Sequence, residues 1–279
     1  MMSMHESIAI RGVDGSYWPL GGPRHNDRDA WIRHGLNGVF KRAPRTPTRT
    51  SRAYQIGSTP RMTKTEERLV DFRVRLEGRT RRDLEELFVA WNEAWDFDAD
   101  LEMLTRSEAY GERTLRLRLD REMQPDVGTF SMQSNRMEIE MVAVACWPFL
   151  TSGVDTITKN FGIGTTNLEF EIDNKTDVPL WMEWGGDPMT SLQLPDALSG
   201  RMVPIPAQTN VWKVRTRKTF ETLSSADGTN QLPALRGLSF MYEIPKRVMK
   251  PVKLPVVVTA SAPGQIRAIM RRNHEMPWG

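Results

Sequence analysis

The sequence holds a single cysteine in 279 residues, Cys146, so no disulfide within the chain and no thiolate metal cage can form. Cys146 lies in the apolar run Met141–Trp147, MVAVACW, and reads as a small buried hydrophobe rather than a reactive thiol. No run approaches the roughly 18 apolar residues of a membrane span. The opening MMSMHESIAIRG lacks the charged-then-apolar order of a signal peptide. The expectation is a protein made in a cytoplasm that spans nothing. Neither sign of charge dominates: 38 Lys and Arg face 35 Asp and Glu. That balance argues against a dedicated nucleic-acid binder, which shows one basic face.

Histidine is scarce as well. His5, His25, His34 and His274 never fall at metal-ligand spacing, and His25 and His34 flank a polar Asn-Asp-Arg-Asp segment that suits a surface. No G-x-S-x-G, P-loop or H-E-x-x-H occurs. Phe161-Gly162-Ile163-Gly164 is a lone G-x-G without the third glycine or the helix that would hold a phosphate. Internal repeats and low-complexity tracts are absent too. Nothing here resembles a catalytic apparatus, and no catalytic, cofactor-binding or metal-binding residue is assigned.

What remains is a globular composition, 39% hydrophobic and 26% charged, in a chain long enough for two domains. The reading is mainly β. Ser7–Arg11 is a short strand with a turn at Val13–Gly15, and Tyr17–Leu20 leads into the Gly21-Gly22-Pro23 break. Lys41–Arg52, KRAPRTPTRTSR, has no apolar period and is expected as an extended basic loop, an assembly arm that orders on contact. It lacks the interleaved aromatics of a single-strand nucleic-acid platform. Val70, Phe72, Val74 and Leu76 alternate with charges, the period of a half-buried strand.

One helix is expected over 80–96. Thr80 can cap it with Asp83 three residues on, and Leu84, Leu87, Phe88, Trp91 and Trp95 form one apolar stripe that docks on a sheet. The period returns to two at Leu115–Leu119 and at Met137–Met141, the latter ended by Pro148. The expected domains are 1–150, a polar linker over 151–164, and 165–279. The last reads as a β-sandwich or jelly roll with strands at Leu168–Ile172, Leu180–Trp184, Val211–Val214, Lys218–Leu223, Leu238–Tyr242, Leu254–Thr259 and Gln265–Met270.

Two clusters invite a sharper reading. Asp96, Asp98 and Asp100 could pair as glycosidase carboxylates or offer oxygens to calcium. The run lacks the EF-hand glycine and later glutamate, so a solvated loop is favoured. Trp181, Trp184 and Trp212 could form a sugar-stacking platform. Trp181 and Trp184 stand three apart and point to opposite faces of a strand, so core packing or interface burial is favoured.

The stretch Leu168–Trp184, LEFEIDNKTDVPLWMEW, resembles the strand–turn–strand of distal tail proteins, or minor tail proteins, of long-tailed siphovirus-type bacteriophages. Ile172, Asn174, Asp177, Pro179 and Trp181 match the pattern I-x-N-x-G-D-x-P-A-W-P, with Thr176 where glycine is usual and Met182 where the second proline is usual. Trp18-Pro19-Leu20-Gly21, Arg113–Leu119, Cys146-Trp147-Pro148 and the terminal Pro277-Trp278-Gly279 follow that family's order of elements. Met276 stands where arginine is common in actinobacteriophage minor tail proteins.

The resemblance implies an N-terminal β-rich ring domain with one packed helix and a C-terminal galectin-like sandwich. It implies a non-enzymatic, six-fold virion ring at the tail tip, assembled in the host cytoplasm. Its partners would be further copies of itself, the tail tube protein, the tail-tip hub with other minor tail proteins, and the tape measure protein. No cofactor is implied. The alternating Arg and Glu strands would suit pairing between subunits. The alternative is a carbohydrate-binding adhesin whose sandwich touches host glycan; a glycan hydrolase ranks third.

Overall fold

A computed structural model describes residues 7–22, 28–126, 135–217, 219, 221–235 and 237–278. The chain forms two compact units, one of Met1–Ser152 with His274–Gly279 and one of Gly153–Asn273. It is mainly β, with a single α-helix among the described residues.

The first unit is built from β1 (Ser7–Arg11), β2 (Tyr17–Gly21), β3 (Ala30–Asn37), β4 (Arg45–Thr50), β5 (Thr59–Thr65), β6 (Arg68–Glu77), α1 (Arg81–Glu93), β7 (Leu101–Ser107), β8 (Gly111–Leu119), β9 (Gln124–Pro125) and β10 (Arg136–Ala145), with the start of β11 (Leu150–Phe161). Strands run in the order β2-β1-β7-β8, and the end of β8 passes to β10, β6 and β3 through Leu119↔Ala143 and Arg118↔Val144.

Alternation decides which face is core. Across β6 and β10 the pairs Phe72↔Met141, Val74↔Ile139 and Leu76↔Met137 are buried, while Arg73↔Glu140, Arg75↔Glu138 and Glu77↔Arg136 point outward. Arg73 meets Glu140 at 3.2 Å, Arg136 meets Glu77 at 2.8 Å, and Arg75 pairs with Glu138. The charges expected to pair between subunits therefore satisfy one another within the ladder.

Helix α1 starts where its cap chemistry places it. Thr80 accepts from the Asp83 N–H and the Asp83 carboxylate accepts from the Thr80 N–H, a reciprocal capping box. The helix stops at Glu93, three residues short of the expected end, and Ala94 caps it. Its stripe packs inward: Trp91 meets Trp18 edge-on at 5.0 Å, and Trp95, just past the helix end, leans on Phe72 at 6.1 Å.

The second unit continues β11 and adds β12 (Gly164–Asn174), β13 (Glu183–Gly186), β14 (Ser191–Pro195), β15 (Met202–Ile205), β16 (Trp212–Arg215), β17 (Leu223–Ser225), β18 (Val248–Ala260) and β19 (Gly264–His274). One sheet runs β17-β16-β13-β19-β11, the other β12-β18-β14-β15. Their apolar faces share one core, in which Trp184 of β13 meets Phe170 of β12 edge-on at 5.2 Å. The unit is a two-sheet sandwich.

Several expectations are corrected. The segment 151–164 is no linker but β11 and its turn into β12. Leu180–Trp184 is strand only from Glu183, with an isolated bridge at Leu180. Lys218–Leu223 reduces to Leu223–Ser225, with positions 218 and 220 outside the described residues. Leu238–Tyr242 is irregular: the buried Asp196 carboxylate takes the Met241 and Tyr242 N–H groups at 3.0 and 3.1 Å, in place of a strand neighbour. Cys146 is exposed. Inward positions of β10 are odd-numbered, so the residue one step past Ala145 turns out.

Truncating Trp91 to alanine should cost about 3–5 kcal/mol of unfolding free energy, whereas Thr80→Ala should cost about 1 kcal/mol. Denaturant titrations of both variants check the ranking; a Trp91 loss no larger than the cap loss would show that the helix does not anchor this core.

A projecting arm as candidate assembly interface

The segment expected as a basic loop is in fact half of a hairpin. Strand β4 pairs with β5 from Arg45↔Thr65 to Thr50↔Thr59, and every residue of both strands is exposed. Repeated threonines suit a strand. Pro47 and Pro60 are tolerated because a two-stranded ribbon has only edge positions. The tip is internally bonded: the Ser51 hydroxyl donates to the Gly57 carbonyl at 3.1 Å, and the Gln55 amide donates to Thr59 Oγ1 at 2.9 Å. Tyr54 and Ile56 at the tip are fully exposed. An isolated two-stranded hairpin is at best marginally stable in water, so this one depends on its root.

The root is rigid. Ala43 N–H donates to Glu275 Oε2 at 3.1 Å, Arg45 pairs with Glu275 Oε1, and Glu66 N–H donates to the Pro44 carbonyl at 2.9 Å. Beneath it lies Arg68, 1% exposed. Its guanidinium donates to the carbonyls of Gly38, Val39, Lys41, Pro148 and Glu275 at 2.7–3.1 Å. Burial lowers the Arg68 pKa, opposed by the nearby Glu275 carboxylate, yet a guanidinium stays charged in proteins. Gly38 admits this cradle: its φ is +86°, and a Cβ there would lie 2.0 Å from the Leu69 carbonyl oxygen. Trp278 stacks on Phe40 at 4.7 Å beside the same root. The reading of the sequence missed Arg68. A signal existed, since Arg68 occupies the inward parity of Val70, Phe72, Val74 and Leu76.

The other candidates disperse. Asp96, Asp98 and Asp100 lie in the turn after α1; Asp96 accepts the Asp98 N–H at 2.9 Å and Asp100 pairs with Arg118. Trp184 and Trp212 are core residues, and the Trp212 indole donates to the Asp187 carbonyl at 2.8 Å. Trp181 is half-buried and bonds Glu243, whose pKa is raised by partial desolvation of its carboxyl against that bond. Gly162 and Ile163 form the β11–β12 turn. His274 is buried with Nε2 2.8 Å from Ser152 Oγ. His5, His25 and Gly279 lie outside the described residues, as does the His34 side chain.

The matched motif has a structural job. Asn174, fully buried, donates to the Val178 and Pro245 carbonyls at 2.9 and 3.0 Å and accepts from the Thr176 hydroxyl at 2.8 Å. Thr176 has no left-handed φ, so this turn does not require the usual glycine.

No protein-family model matches the sequence, and no curated protein sequence matches it. Solved structures do match in fold. The SPP1 Dit (gp 19.1) protein, described as a paradigm of the hub adsorption apparatus in phages infecting Gram-positive hosts, superposes with a TM-score of 0.58 at 12% identity, over 95% of this chain and 98% of that one. The phage P2 baseplate in its activated conformation matches with TM-scores of 0.53 with calcium, at 8% identity, and 0.51 with strontium, at 9%; each covers 95% of this chain and 97% of the other. The chain thus has the fold of phage tail hub and baseplate proteins.

Lysine is a point charge with three donors and cannot reach five carbonyls. Arg68→Lys should destabilise the first unit by about 3 kcal/mol, since a hydrogen bond to a charged group is worth about 1.5–3 kcal/mol. Differential scanning calorimetry reads this as loss in one transition; an unchanged profile would remove Arg68 from its anchoring role.

Proposed function

We propose that the protein is a structural component of a phage tail tip, a ring-forming subunit of hub or baseplate type. The observation that carries this reading is the fold match along 95% of the chain to proteins of the hub adsorption apparatus and the baseplate. The projecting arm supports it, because a hairpin exposed on both faces is made to be covered by a neighbour. A closed ring needs such a heterologous contact, one surface of each subunit meeting a different surface of the next. Six subunits, as the distal tail resemblance implies, would join the tail tube to the tip hub and its minor tail proteins, with the tape measure protein in reach. The location is the virion tail tip, after assembly in the host cytoplasm.

A carbohydrate-binding adhesin is less well supported, since two of the three tryptophans of its platform are core residues. A hydrolase is less well supported too, since the aspartates of its candidate run lie in a solvated turn, where Asp96 accepts from the Asp98 N–H and Asp100 pairs with Arg118.

Negative-stain microscopy with light scattering at about 10 μM, the scale of weak association, is the test. Closed rings of about six times the 31.9 kDa chain mass are expected, and replacing Thr48–Arg61 by a two-residue turn should leave a folded monomer. A wild-type monomer at every concentration up to about 1 mM would sink the proposal, and rings that persist without the arm would remove the arm from the ring contact.

A further inference from the structure

Resting on the ring reading, the receiving surface for the arm can be named. Residues 45–65 carry five Lys and Arg and no Asp or Glu, whereas residues 85–100 carry six Asp and Glu and no Lys or Arg. Some of these charges are satisfied at home. Arg45 pairs with Glu275, Lys64 with Glu66, Glu85 with Arg81, Glu86 with Arg82, and Asp100 with Arg118. Arg49, Arg52 and Arg61 on the arm have no ion pair among the described residues, nor do Glu93, Asp96 and Asp98 at the corner where α1 turns into β7.

Apolar side chains accompany both sets. Tyr54 and Ile56 are fully exposed on the arm, and Val89 and Phe97 are 55% and 49% exposed at the corner. Val89 lies on α1 and Phe97 just past its end, within a stretch of sequence whose only charges are carboxylates.

We propose that the arm seats on the α1–β7 corner of a second copy of this chain. Tyr54 and Ile56 cover Val89 and Phe97, while Arg49, Arg52 and Arg61 face Glu93, Asp96 and Asp98. The two surfaces are distinct places on one subunit. The arm leaves beside Arg68 at the β3–β6 side, whereas the corner is tied to β8 by Leu119 N–H donating to the Asp96 carbonyl at 2.9 Å, with β10 between them in the sheet. A heterologous contact requires that separation.

Competing surfaces of a second copy fit less well. The outer face of β6 and β10 is already paired Arg to Glu and presents little net field. The exposed stretch around Lys246, Arg247 and Lys250 of the second unit repels a basic arm. The apolar tip supplies contact area, and the charges fix orientation and weaken with salt as exposed pairs do.

The test places a photoreactive benzoylphenylalanine at position 54 of the full chain and maps its adducts by mass spectrometry at low and high salt. Adducts to Leu84–Met103 of another molecule are expected. Their yield should fall about tenfold, or 1.4 kcal/mol, in a Glu93→Lys, Asp98→Lys acceptor, and recover when the arm carries Arg49→Glu and Arg52→Glu. Adducts to a different surface of a second copy would overturn this assignment and leave the ring reading standing. Adducts only within one chain would overturn both.

Discussion

The first unit hangs on one buried guanidinium. Arg68 gathers carbonyls from three separated segments: the turn after β3, the bend at Pro148, and Glu275 near the end of the chain. The carbonyls of Val39, Pro148 and Glu275 would otherwise be buried acceptors in need of a partner, and an unsatisfied one costs about 1–3 kcal/mol. A charged donor fork is the economical way to satisfy five carbonyls at one point. The consequence reaches past stability. Glu275 arrives only after the chain has traversed the whole second unit, so the first unit is not complete until residues more than 200 positions apart have met. Non-local closure of that kind is slow in folding and couples the two ends of the sequence.

Charge placement follows two different rules in the same unit. On the ladders each Arg sits opposite a Glu, so the charges stabilise register and leave little field outside. On the arm and at the α1–β7 corner one sign is segregated from the other along the sequence. A near-neutral total of 38 against 35 conceals this division, because the sum cannot distinguish cross-strand pairing from separation. Fields between separated patches guide association and exclude wrong partners more than they add affinity.

Much of the fold was legible where burial is one-sided. β6, β8 and β10 alternate cleanly, Thr80 and Asp83 announce the start of α1, and the apolar stripe from Leu84 to Trp91 identifies its inner face. Legibility failed where burial is two-sided or absent. β11 reads as polar because nearly all of Gly153–Asn160 is exposed, and β4 and β5 bury nothing, so no hydrophobic period exists to detect. Leu238–Tyr242 has the composition of a strand, but Asp196 takes the N–H groups that a neighbouring strand would need. Of the candidate site, the basic composition of 41–52 was visible. Its hairpin form was not, because pairing with 59–65 is a property of two polar segments together.

The clamp and the arm make sense as one device. A free hairpin would have to be ordered at the moment of binding, at a cost set by the backbone it fixes. Here Ala43, Arg45 and Pro44 are already held, and the tip is bonded to itself through Ser51 and Gln55. Preorganisation removes part of the ordering cost before any neighbour arrives. Contacts that are weak one at a time can then suffice, because in a closed ring each subunit is held on two sides and the last contact forms at high effective concentration. If the proposed ring closes through the arm, the buried Arg68 cradle is linked to assembly: a loose root would leave the tip chemistry intact and still forfeit the ring.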